Sequence, residues 1–143
     1  MPRTAAAAPR FLDSNVVLRY FERSDPDKSH RARQLLERVE RGEEKVATSA
    51  LVVFEVVFTL QRTYGVPKAS VRDMMRDLLS LPALQLPRKD LCLDALDLYV
   101  EKNVSFADAY TAVYMRSRGV TEIYSWDSDF DRFEDVSRIA PPA

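Results

Sequence analysis

A chain of 143 residues with 46% hydrophobic and 30% charged residues is expected to form one domain that buries roughly 70% of its unfolded surface. No apolar run reaches transmembrane length, and the opening MPRTAAAAPR lacks the apolar core of a signal peptide, so a soluble, cytoplasmic protein with no membrane association is expected. The single cysteine excludes an internal disulfide, and a net charge of −1 excludes the strongly basic profile of a dedicated duplex binder.

Residues 1–9 are Ala/Pro-rich and aperiodic and are expected to be a disordered tail, with residues 10–143 forming the single domain. Arg10 to Asp13 reads as a short strand, followed by a short apolar helix through Phe21. Asp25 is a good N-cap with Pro26 at the first helical position, and Ala32, Leu35, Leu36 and Val39 mark the inner face of a helix ending at Gly42. Lys45 to Thr48 is a second strand. Ser49 caps a helix that begins ALVVFEVVFTL and must be buried on most sides. Pro67 opens a further helix to Leu81, with Val71, Met74, Met75, Leu78 and Leu79 inward.

Leu84 to Leu86 is a third strand and Asp90 to Lys102 a helix, with Cys92 a small core residue. Ser105 stands three residues before Asp108 at a helix start, apolar residues recur from Phe106 to Tyr114, and Gly119 closes that helix. Thr121 to Trp126 is a fourth strand; Trp126 is a candidate to stack a base, but its alternation with Ser125 and Asp127 points it toward a flanking helix. A turn or short helix to Phe133 and a strand from Val136 to Ile139 complete the chain. Strands separated by helices imply parallel pairing through right-handed crossovers, hence an α/β/α sandwich with ligands bound at the strand carboxyl ends.

Four carboxylates fall where neighbouring residues suggest burial: Asp13 at a strand end, Glu55 alone in its apolar run, Asp108 alone between Val104 and Met115, and Asp127 after the fourth strand. If they converge, a pair about 4 Å apart costs roughly 4 kcal/mol at an effective dielectric constant near 20, which a cation would relieve. Oxygen-only donors suit Mg²⁺ or Mn²⁺, whereas zinc would want Cys or His; the one histidine, His30, lies in a charged helix and is expected to be solvated. Two such ions can cut a phosphodiester without a catalytic His, Cys or Ser. Structural readings stand beside each acid: Asp13 as a helix cap, Asp108 as the third residue of a capping box, Glu55 in a buried ion pair, and Asp129 as the cap of the turn before Phe133.

Arginine outnumbers lysine sixteen to five, which suits phosphate contacts; the competing reading is Arg–Glu pairs on solvated helix faces. Arg116 and Arg118, just past the Asp108 helix, are candidates to guide a phosphate backbone.

The segments FLDSNVVL, TSALVVFEVV, SFADAYTAVYM and YSWDSDF, in this order, resemble the four signature regions of PIN domains, most closely the toxin nucleases of VapBC toxin–antitoxin pairs. The resemblance spans Phe11 to about Ile139. It implies a three-layer α/β/α PIN-like sandwich with a parallel sheet ordered 3-2-1-4-5 and about seven helices. It also implies a Mg²⁺- or Mn²⁺-dependent endoribonuclease whose pocket holds Asp13, Glu55, Asp108 and Asp127, with Asp13 and Asp108 as the most direct ligands. Asn15 matches an amide that orients the site, Ser125 a hydroxyl that steadies it, and Asp129 a further acid. Such toxins dimerise and are silenced by a VapB-like antitoxin, for which the helical pair from Ala50 to Leu81 is a candidate groove. Two other classes compete: a catalytically silent PIN-like interaction module, and a phosphotransfer enzyme built on Asp127 and Asp129. The intact acid set argues against the first; the absence of a late lysine and of an acid pair after the first strand argues against the second.

Overall fold

The computed structural model describes residues 8–142, so the tail expected over residues 1–9 lies outside the described residues except for Ala8 and Pro9. The chain divides into two compact units. One comprises the chain up to Val56 together with Asp77–Pro87, and the other comprises Val57–Arg76 together with the chain from Arg88 onward.

The first unit is built on a parallel sheet of β1 (Arg10–Phe11), β2 (Val46–Ala47) and β3 (Leu84–Gln85), in the order β1-β2-β3. Arg10 pairs with Val46 and Val46 with Leu84, and the ladder continues beyond the formal strands where Leu12 N–H donates to Ala47 O at 2.7 Å. The buried Thr48 hydroxyl donates to Leu12 O at 3.0 Å, so a side chain supplements these very short strands. Helix α1 (Ser14–Phe21) packs on α2 (Pro26–Glu40). Asp25 caps α2 by accepting from Lys28 N–H at 3.1 Å, with Pro26 at the first turn as the sequence predicts. Ala32, Leu36 and Val39 are buried on one face of α2, and His30 on another face is exposed.

Helix α3 (Ala50–Arg62) begins in this unit, with Ser49 Oγ accepting from Val52 N–H. It is not buried on most sides. Leu51 and Phe58 are 67% and 63% exposed and share a face with the exposed Glu55, so the apolar run hides an amphipathic helix whose outer stripe is itself partly apolar.

The second unit holds the residues that open helix α4 (Lys68–Leu79) and the helices α5 (Lys89–Glu101) and α6 (Phe106–Ser117), which pack on each other, with Leu91, Cys92, Ala95, Leu96, Ala109, Ala112 and Val113 buried. Gly119, at φ +69°, ends α6 in a Schellman motif: Val120 N–H reaches Met115 O and Gly119 N–H reaches Arg116 O. Strand β4 (Glu122–Tyr124) pairs in parallel with β5 (Ser137–Ile139), and a 3₁₀ helix, Ser128–Arg132, lies between them.

Parallel α/β pairing is as predicted. The single sheet ordered 3-2-1-4-5 is not what is seen: the strands form two separate ladders, β1-β2-β3 and β4-β5, and among the described residues there are six α-helices and one 3₁₀ helix where about seven helices were expected. The fourth strand also stops short of Trp126. Ser125 Oγ accepts from Asp127 N–H at 2.9 Å, turning the backbone out of the ladder, and Trp126 is 77% exposed instead of packing under a helix.

Candidate metal centre

Asp108 is placed by the start of α6. Ser105 caps that helix by accepting from Asp108 N–H at 3.1 Å, so the structural reading of Asp108 as a capping-box residue holds for its backbone. Its carboxylate has a second set of neighbours. Oxygens of Asp108, Asp127 and Asp129 lie within 4.8 Å of one another. Asp127 caps the 3₁₀ helix by accepting from Asp129 N–H at 2.9 Å, and Ser125 holds Asp127's own N–H, so two short hydrogen bonds fix the pair. The cap of that turn is therefore Asp127, not Asp129.

The electrostatics follow from this crowding. Partial burial, then the charge of Asp127, raise the Asp108 carboxyl above its ordinary value, with Asp129 adding to the rise and the Ser105 hydroxyl opposing it. The α6 N-terminus offers partial positive charge to the same carboxylate. Two cations stand nearby. Arg132 Nη2 lies 3.8 Å from Asp129 Oδ1, and the Lys68 ammonium is pushed down by partial burial and by Arg132 while Asp129 pulls it up.

The remaining predicted acids belong to the first unit. Asp13 occupies the cap position of α1, yet its carboxylate makes no capping hydrogen bond and is exposed. Among the described residues neither Lys nor Arg forms an ion pair with Glu55; Ser14 Oγ donates to its Oε2 at 2.8 Å. Asn15 lines a groove of about 770 Å³ whose wall includes Arg10, Arg19, Lys28, Arg31 and Arg38. Pairs such as Arg31–Asp27 and Arg38–Glu44 show that several of these arginines also meet acids on the helix surface.

The expected burial of the acids is corrected. Asp13, Glu55 and Asp127 are exposed, and only Asp108 and Asp129 are half-buried. Each stands at an element end or on an outer helix stripe, where water bears most of the charge. Arg116 stands at the far end of the Asp108 helix. Its Nε donates to Asp135 Oδ2 at 2.7 Å in the last turn of α6, eight residues and about 12 Å along the axis from Asp108; Arg118 is the exposed cap that follows.

The donor set of the trio is all oxygen, the donor type that hard divalent cations take. The PIN domain family model matches residues 10–136, nearly the whole described chain. This chain belongs to the PIN domain family. Among its relatives is a VapC ribonuclease of Aquifex aeolicus (strain VF5), 21% identical over 123 residues that cover 86% of this chain and 90% of the relative. Within this PIN domain, the residues beyond the reach of sequence reading are Lys68 and Arg132. Lys68 and Arg132 had no local signal, since their partners are about thirty residues away.

Proposed function

We propose that this PIN domain protein is a Mg²⁺- or Mn²⁺-dependent endoribonuclease that hydrolyses RNA phosphodiester bonds, and that it is the toxin of a type II toxin–antitoxin pair. The observation that carries the reading is the trio Asp108, Asp127 and Asp129, with oxygens within 4.8 Å of one another. Asp13 and Glu55 are proposed as further catalytic acids, with Asn15 and Ser125 as supporting groups.

The backbones of Asp108 and Asp127 are held by the Ser105 and Ser125 hydroxyls and the Asp127 carboxylate by Asp129 N–H, which lowers the cost of ordering these acids around a ligand. A divalent cation bound there supplies Lewis-acid polarisation of the phosphate and lowers the pKa of an attacking water. The cationic groove in the unit that carries Asp13 and Asn15 supports an RNA backbone as substrate. The exposed Leu51 and Phe58 on α3 support a protein partner on that helix, in this reading a VapB-like antitoxin or a second copy of the chain. Among the described residues no helix is long and apolar enough to cross a membrane, and the proposed site of action is the cytoplasm.

The test compares wild type with Asp108→Asn for melting temperature and for cleavage of a structured RNA, each with and without millimolar Mg²⁺ or Mn²⁺. A cation at a hundred times its dissociation constant stabilises the native chain by roughly 2.7 kcal/mol. Wild type should gain stability and cut RNA while the variant does neither. If the cation changes neither property of the wild type, the acids are caps and surface charges, and a silent interaction module takes the place of the nuclease.

A further inference from the structure

Three consecutive backbone carbonyls join α5 to α6, and two cations from distant parts of the second unit hold all three. Arg132 Nη1 donates to Lys102 O at 3.1 Å and to Asn103 O at 2.7 Å, and Lys68 Nζ donates to Val104 O at 2.8 Å. The turn they grip is a constrained one: Asn103 sits at φ +50°, in the left-handed region that side-chain-bearing residues seldom adopt. The carbonyls of Lys102 and Asn103 belong to the negative end of α5, which no further helical turn satisfies, so cationic donors suit them.

Both clamps are themselves fixed. The Lys68 ammonium lies 4.7 Å from the centre of the Tyr99 ring, and Tyr99 is fully buried with its hydroxyl donating to Gln61 Oε1 at 2.7 Å. Arg132 ends the 3₁₀ helix that Asp127 begins, and its other nitrogen lies 3.8 Å from Asp129. One guanidinium therefore touches the turn that leads into Asp108 and also the acid that faces Asp108.

We propose that Arg132 and Lys68 are positioning residues of the acid cluster: by gripping the 102–104 turn they set the first turn of α6, and with it the place of Asp108 opposite Asp127 and Asp129. The expected effect on cation binding rests on the metal-centre reading above; the effect on the turn does not. A role in charge neutralisation alone has the opposite sign. Removing a positive charge near Asp129 would strengthen cation binding, whereas releasing the turn would weaken it.

The experiment uses the full chain as wild type, Arg132→Met, Arg132→Lys and Lys68→Met. It reads Mn²⁺ affinity by calorimetry and, without cation, hydrogen exchange of the backbone amides from Ser105 to Ala109. Arg132→Met should bind Mn²⁺ about tenfold more weakly, as loss of a residue supporting metal ligands does, and should exchange faster at Asp108. Arg132→Lys keeps the charge but replaces a guanidinium whose Nη1 reaches two carbonyls while Nη2 faces Asp129 with a single compact ammonium, so it should fall between. Mn²⁺ binding by Arg132→Met as tight as wild type, or tighter, overturns the proposal. Should Arg132→Met fail to fold, Lys68→Met decides by the same two readouts, because Lys68 grips the turn from α4. Should wild type bind no Mn²⁺, the nuclease reading falls, and exchange alone decides the clamp: faster exchange in the variants upholds it and unchanged exchange overturns it.

Discussion

Ser14 donates its hydroxyl to Glu55 Oε2 across 2.8 Å, tying the residue after Asp13 to the middle of α3. The bond replaces the buried ion pair that an acid inside an apolar run suggests. Ser14→Ala should lower stability by about 1 kcal/mol, since a hydrogen bond to a charged but exposed group is worth no more, and Ser14→Thr should restore it. Urea unfolding of the two variants checks this; equal losses in Ala and Thr would show that the hydroxyl does not hold Glu55.

Asp108 carries a pH dependence of definite sign. Its carboxyl is raised in the folded chain by burial and by its acidic neighbours, so the folded state keeps that proton to higher pH than the unfolded state. The associated stability is complete below the ordinary aspartate value of 3.8 and is lost as pH rises through the raised value. Urea midpoints measured without divalent cation between about pH 4 and 7 should fall with rising pH more in wild type than in Asp108→Asn. Added Mn²⁺ should reverse the slope in wild type, because cation binding strengthens as the carboxylates ionise.

Arg116 is already engaged by Asp135 at 2.7 Å, with both side chains about half exposed. Arg116→Ala should therefore cost at most about 1 kcal/mol and leave both RNA affinity and its salt dependence where they were. A flattened salt slope in filter-binding titrations would instead show that the guanidinium leaves Asp135 to meet phosphate.

Trp126 is the only tryptophan and is 77% exposed, so the intrinsic emission of the native chain reports one water-facing indole. The spectrum should be red-shifted, with acrylamide quenching close to that of the urea-unfolded chain. A blue-shifted, protected emission would place the indole in a packed interior or at an interface between copies.

Much of the local structure was legible because its signals are local. Ser105, Asp25 and Ser49 cap the helices they precede, and Gly119 ends α6, since each acts on backbone groups within a few residues. The trio was half legible: Asp108 and Asp127 stood out by position, but the cap role passed from Asp129 to Asp127 through one hydrogen bond that spacing does not distinguish. Burial was misread for a common reason. The apolar neighbours of Glu55 imply a helix buried on most sides, whereas Leu51 and Phe58 share its exposed stripe. The grips of Arg132 and Lys68 on the 102–104 turn depend on side chains meeting carbonyls far along the chain, and no periodicity encodes that.

The two units interleave along the chain, with Val57–Arg76 of one inserted before the Asp77–Pro87 segment that supplies the third strand of the other. A ribosome that has released the first unit's two opening strands has therefore still to deliver β3 before that sheet can close, and the acid trio waits further, until Asp129 has emerged. At about 5–20 residues per second, synthesis itself imposes a delay of seconds before Asp108, Asp127 and Asp129 can meet, and fragments terminated before Asp129 lack the trio altogether.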